Sequence, residues 1–191
     1  MSERQMGKNL AEIKLDHTLR YMLASQLLGP DEKVIDAACG CGYGTHMLSR
    51  KAKLVWGMDI CPETIKFAKE HYPAANAEFH VIDVLKLPTH VQYKCDTVVS
   101  FETIEHVQDD RQLLRNFRKI GDRLICSVPN EELVPWSKET HPWHFRHYTL
   151  HEIQKILAEC GWQINRLFGA PNGKSPIEEN LLGKNIILEC V

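Results

Sequence analysis

Residues 34–48 read Val-Ile-Asp-Ala-Ala-Cys-Gly-Cys-Gly-Tyr-Gly-Thr-His-Met-Leu. Val34 and Ile35 make a short apolar run suited to a buried strand, and Asp36 closes it with a carboxylate. Gly40, Gly42 and Gly44 then let the backbone turn tightly and approach a ligand with no Cβ in the way. From Tyr43 the pattern becomes helical, with Met47 and Leu48 on the apolar side. Strand, glycine loop and helix in this order make a nucleotide-cofactor site at the carboxyl end of a first strand. The dinucleotide fingerprint Gly-x-Gly-x-x-Gly does not fit, because counted from Gly40 it needs a glycine where Thr45 stands. Asp36 would also repel a pyrophosphate. A cofactor with a positively charged amino-acid end suits the loop better.

Upstream of this stretch, Leu10, Ile13, Leu15, Leu19, Met22, Leu23 and Leu27 fall close to helical spacing, and Gly29-Pro30 ends that helix. Downstream, 53–58 reads as a second strand closed by Asp59, followed by a helix from Pro62 to about Tyr72. A third strand over 78–82 ends at Asp83, and a fourth over 94–101 runs into Glu102. A helix from about Asp109 to Ile120 leads to a fifth strand over 123–128. Residues 131–148 form an irregular insertion rich in His and Trp. Thr149 and Glu152 predict a capping box on a helix running to Cys160. Two last strands, 162–168 and 185–190, have no clear helix between them. Five strands alternating with helices predict a parallel α/β sheet, and the final pair predicts an antiparallel hairpin at one edge.

The 191 residues contain no linker, so one domain over 1–191 is expected. A net charge of −2 argues against extensive binding to a phosphate backbone. The basic residues of one helix, Arg111, Arg115, Arg118 and Lys119, are the one candidate for a local basic rim. No apolar run approaches the ~18 residues of a membrane span, and the opening residues lack the apolar core of a secretion signal. The seven cysteines form no Cys-x-x-Cys pair and read as reduced thiols. A cytoplasmic location is expected.

The run from Asp36 to Gly42 resembles the first motif of class I S-adenosylmethionine-dependent methyltransferases, Asp/Glu-x-Gly-x-Gly-x-Gly, with Ala38 at the first glycine. The order of the later motifs is similar to that family over about residues 10–190. The resemblance implies a Rossmann-like, seven-stranded, mostly parallel sheet with helices on both faces. It also implies S-adenosylmethionine as cofactor. Asp36, Ala38, Gly40 and Gly42 would surround the amino-acid end, Asp59 would accept both ribose hydroxyls, and Ile60 would lie against the adenine. Asp83 and Val84 would form the adenine corner, with Ser100 and Phe101 beside the cofactor at the end of the fourth strand. In Asp16-His17-Thr18-Leu19-Arg20-Tyr21, Arg20 and Tyr21 would close over the site, Arg20 towards the cofactor carboxylate. Helix 1–30 would thus cover the cofactor, and insertion 129–148 would form part of the acceptor pocket. Ordinary structural readings stand beside these: Asp59 as a helix N-cap, Asp83 as a turn former, Arg20 solvated and Tyr21 at the edge of the core.

Glu102, Glu105 and His106 follow the fourth strand at the rim where such sheets bind ligands. On a helical turn, positions i, i+3 and i+4 share one face. Two carboxylates and an imidazole converging there suit a divalent metal. With His144 from the insertion, the pattern Glu-x-x-Glu-His…His looks like two methyltransferase groups: small-RNA 3′-terminal 2′-O-methyltransferases and ubiquinone-biosynthesis O-methyltransferases. The first pattern selects His144 as fourth ligand and the second His141, with His147 a further alternative. Mg, Mn, Co, Fe and Zn are the candidate ions. Two other readings stand: Glu102 and His106 as metal-free catalytic groups, with His106 as base, and a purely structural role. Trp136, Trp143, Phe145 and Tyr148 would wall the acceptor pocket or form the insertion's own core. The expected function is methylation of a small-molecule, sugar or quinone-type hydroxyl. The alternatives are an RNA-end 2′-O-methyltransferase and a non-catalytic cofactor-binding protein. The compact length leaves little room for a separate acceptor domain, so a partner or homodimer contact would help close the site.

Overall fold

Strand β1 (Lys33–Ala37) lies near the middle of the sheet in the computed structural model of the protein, which describes residues 4–89 and 93–191. It pairs in parallel with β2 (Leu54–Asp59) on one side and β4 (Cys95–Phe101) on the other. β3 (Ala77–Val81) extends the sheet beyond β2, and β5 (Gly121–Pro129) extends it beyond β4, both in parallel. The sheet is completed by β6 (Ile164–Gly169), the two-residue β7 (Glu178–Glu179) and β8 (Asn185–Cys190). The order is β3-β2-β1-β4-β5-β8-β6-β7.

The antiparallel pair forms at one edge as expected, with β8 between β5 and β6 and hydrogen-bonded to both. One detail departs from expectation: among the described residues the sheet has eight strands rather than seven, because Glu178–Glu179 adds a short rung to β6. Among the described residues no helix is long and apolar enough to cross a membrane.

Among the described residues five α-helices cover the sheet: α1 (Leu15–Leu27), α2 (Tyr43–Ser49), α3 (Pro62–His71), α4 (Asp110–Ile120) and α5 (Leu150–Glu159). The central strands bury both faces, so adjacent residues serve opposite cores. Val34, Val55, Val99 and Ile125 pack with Ala24, Leu48, Ile65 and Ala68 from α1, α2 and α3. Ile35, Trp56, Val98 and Leu124 pack on the other face with Leu113, Phe117, Ile153 and Leu157 from α4 and α5. The helix expected over 9–28 is broken: a 3-10 turn at Leu10–Glu12 precedes α1, and Ile13 between them is extended and buried. Turning Ile13 inwards gives the segment an apolar anchor that a continuous helix would aim at solvent. Thr149 caps α5 with both bonds of the capping box formed.

At the carboxyl end of β1 the chain is shaped by two small residues. Ala38 has φ +61, the left-handed region a Cβ disfavours. Gly44 is needed for proximity, since a Cβ there would sit 2.1 Å from the Tyr21 ring. Opposite outcomes are therefore expected in denaturant unfolding. Ala38→Gly should gain about 1 kcal/mol by relieving the left-handed strain. Gly44→Ala should lose about 1–3 kcal/mol by overpacking. An unchanged midpoint in either variant would contradict the corresponding assignment.

Candidate active site

Strand order reverses between β1 and β4, and in such sheets the crevice beyond the strand tips at that reversal takes ligands. A cavity of about 930 Å³ opens there. It is lined by residues at the tips of β1, β2 and β4, by Arg20 and Tyr21 of α1, and by residues of the insertion.

Asp59 is buried at the tip of β2. One oxygen accepts from the Gly40 amide at 3.1 Å, and the other from the Cys61 amide at 2.9 Å and Arg4 Nη2 at 3.2 Å. This carboxylate therefore braces the glycine loop, holds the Cys61 amide just before α3 without capping that helix, and pairs with a cation from the N-terminal segment. A Cβ on Gly40 would meet no protein atom within 4 Å, so the loop keeps an open side. Ile60 beside it is 60% exposed although apolar, and Val84 lies across the same end of the cavity. Asp83 accepts from the Leu85 amide at 3.0 Å, which makes it the turn former that opens Val84–Thr89 while still lining the cavity.

Three expected cofactor residues lie behind the cavity wall. Asp36, 0% exposed, accepts from Tyr21 Oη at 2.9 Å and Thr45 Oγ1 at 2.6 Å. Burial raises its carboxyl to about 6, against the opposing pull of the Thr45 and Tyr21 hydroxyls. Gly42 packs against Ala68 and Phe79, and Ser100 is fully buried within β4. They shape the site from behind because strand and loop alternation turns them away from it. Beside them His17, near Tyr43 Oη at 3.1 Å, is lowered to about 4 by burial and by Arg20. Arg20 is itself buried, donating to Asn185 Oδ1 at 3.2 Å.

The expected acidic trio separates. Glu105, His106 and His144 each bring one ligand atom within 4.8 Å of the others, while Glu102 stands outside that group. Helical spacing fails here because the turn is a short 3-10 segment, Ile104–His106, and Glu102 precedes it with φ +50. Its carboxylate instead accepts from Ser127 Oγ at 2.7 Å and Asn185 Nδ2 at 2.8 Å, at the cavity edge. Neither partner is visible in the spacing of the sequence.

His141, the competing fourth ligand, lies outside the three-residue group, its Nδ1 2.9 Å from Thr140 Oγ1. His106 Nδ1 lies 3.1 Å from the Trp143 carbonyl, and His144 Nδ1 lies 2.7 Å from His147 Nε2. Asp110 ties the insertion to α4, accepting from Arg146 Nη1 at 2.8 Å and Tyr148 Oη at 3.0 Å. Tyr148 is thus core, whereas Trp143 is exposed and lines the cavity. On the basic side of α4, Arg111 is bonded to Glu159 and Arg118 lies over Trp162.

Residues 35–122 match the family model described as a methyltransferase domain. The chain is 29% identical over 180 residues to a protein of Mycolicibacterium smegmatis described as a probable S-adenosylmethionine-dependent methyltransferase, covering 91% of this chain and 68% of the relative. A phosphoethanolamine N-methyltransferase of Triticum aestivum is 30% identical over 176 residues, covering 84% of this chain and 34% of its own length. In fold the chain is similar to magnesium protoporphyrin IX methyltransferase from Synechocystis PCC 6803 with bound S-adenosylmethionine. The TM-score is 0.65 at 24% identity, over 93% of this chain and 77% of that one.

The Asp36 carboxyl generates a pH dependence with a defined sign. Between about pH 4 and 6 the unfolded chain ionises Asp36 while the folded chain holds its proton. The contribution of this residue to stability therefore falls by about 3 kcal/mol as pH rises through that window. His17 acts oppositely, its contribution growing as pH rises from about 4 to 6.5. Urea unfolding of Asp36→Asn across pH 4–7 isolates the first term: relative to wild type the variant should gain stability as pH rises. A constant difference would refute the assignment.

Proposed function

Since the chain belongs to the class I S-adenosylmethionine-dependent methyltransferases, we propose that it methylates an oxygen of a small-molecule acceptor, with a divalent ion beside the methyl-transfer point. The single observation behind this reading is that the glycine-loop end and the Glu105, His106 and His144 group line one continuous cavity. At the loop end the residues suit the cofactor. Asp59 would accept from ribose hydroxyls, Ile60 and Val84 would sandwich the adenine with Asp83 beside it, and Arg20 with Tyr21 would cover the amino-acid end. S-adenosylmethionine supplies a methyl group already activated by its sulfonium. The protein must then align an acceptor oxygen behind that carbon, at about 3–3.5 Å, and exclude water. Tyr21, Phe101 and Trp143 supply the apolar wall for this.

One carboxylate and two imidazoles fit manganese, iron, cobalt or zinc better than magnesium, which prefers oxygen-rich shells. Such an ion supplies Lewis acidity that favours ionisation of a hydroxyl. Glu102, locked by Ser127 and Asn185, would orient the acceptor from the opposite side. A terminal RNA hydroxyl is disfavoured as the acceptor, because Arg111 and Arg118 are engaged within the fold. An amine acceptor is the second reading, favoured by the similarity to the wheat N-methyltransferase. The Glu102 carboxylate could take the proton that such an acceptor loses, with no ion required.

Titration calorimetry with S-adenosylmethionine should show at least a tenfold loss of affinity in Asp59→Ala. Arg4→Gln should bind up to about fivefold tighter, because it removes from the ribose acceptor a part-buried ion pair whose arginine is still reached by solvent. Unchanged binding in Asp59→Ala would sink the ribose assignment. In a labelled-methyl survey of hydroxyl and amine acceptors, chelator should abolish transfer and manganese or cobalt should restore it. Transfer indifferent to chelator and to Glu105→Gln would remove the ion and favour the amine.

A further inference from the structure

We propose that His147 is a positioning residue: it holds His144 in the tautomer whose Nε2 bears the lone pair, and so presents that nitrogen to the ion. The ligand half of this statement rests on the reading above, whereas the tautomer does not.

His147 has a fully buried side chain, and its Nδ1 lies 2.6 Å from the backbone carbonyl of Val134. A carbonyl can only accept, so the His147 proton sits on Nδ1. In neutral imidazole the other nitrogen then carries a lone pair. That nitrogen, Nε2, is 2.7 Å from His144 Nδ1. Two lone pairs cannot share so short a contact, so His144 Nδ1 carries the proton and donates it to His147. The lone pair of His144 is thereby placed on Nε2.

His106 is fixed by the same logic, since its Nδ1 faces the Trp143 carbonyl at 3.1 Å. Both imidazoles of the three-residue group are therefore oriented by the insertion, one through Trp143 and one through His147 and Val134. Hydrogen bonds of this kind from a neighbouring shell fix the tautomer of a ligating histidine, and their loss weakens metal binding. His141 packs edge-on against His147 at 4.5 Å between ring centroids and limits its rotation. Two carboxylates face the pair: Glu131, with Oε2 4.0 Å from His147 Nδ1, and Glu105, within 4.8 Å of His144.

Two variants separate shape from hydrogen bonding. His147→Phe fills the space without an acceptor, and His147→Gln offers an amide oxygen to the His144 Nδ1 proton. Long-range proton–nitrogen NMR on labelled protein without metal should place the wild-type His144 proton on Nδ1. It should stay there in His147→Gln and lose its single position in His147→Phe. Titration with Co²⁺, followed by its visible absorption, should show affinity about 10–100-fold weaker in His147→Phe and within a few-fold of wild type in His147→Gln. A wild-type His144 protonated on Nε2, or a doubly protonated His147, overturns the proposal even if the Phe variant fails to fold. The expected tautomer with no cobalt spectrum in wild type overturns the metal reading and with it the ligand half alone. Equal cobalt affinity in the two folded variants also overturns the ligand half.

Discussion

Two hydroxyl groups on a buried carboxylate hold the glycine-loop end of this protein together. Asp36 belongs to β1, Tyr21 to α1 and Thr45 to α2, so one side chain joins three elements out of reach of water. An ionised carboxylate buried without partners would cost several kcal/mol. The two bonds offset part of that cost and fix where α1 and α2 sit over the sheet. The loop between them is then held by its backbone, Cys39 donating to Met58 and Gly40 to Asp59. The acid of the glycine motif thus acts as a structural keystone beneath the loop.

The tips of β1 and β4 flank the crevice, and each carries a non-glycine residue in left-handed backbone, Ala38 and Glu102. Such conformations persist only where surroundings over-determine them. At Glu102 the surroundings are Ser127 on β5 and Asn185 on β8, one bond to each carboxylate oxygen. Asn185 in turn accepts from Arg20 of α1. α1, β5 and β8 are thus linked to Glu102 at the cavity edge by one chain of polar contacts.

The parts of this architecture that local chemistry dictates were legible in the sequence. The glycine loop, the acids closing successive strands and the Thr149–Glu152 capping box depend on neighbours within a few residues. Asp59 and Ile60 reach the cavity as expected, because the last residues of parallel strands must end at the same rim. What escaped was of three kinds. Spacing presumed an α-helical turn after β4, whereas a 3-10 turn and the φ of Glu102 send its carboxylate away from Glu105. Long-range partners were also invisible: Arg4 finds Asp59, and Asn185 finds Glu102, through the strand order rather than through any periodicity. The buried orientation of Asp36 was missed for a third reason. A carboxylate amid glycines looks ligand-facing until the hydroxyls that cover it, borrowed from two helices, are in place.

The placement of β8 has a consequence for how the molecule assembles. Because β8 lies between β5 and β6, the strand made earlier cannot reach the sheet until the one made later has arrived. β6 enters the sheet only through β8, which itself pairs with β5. Asn185 belongs to β8, so Glu102 holds its second brace only where that later strand is in place.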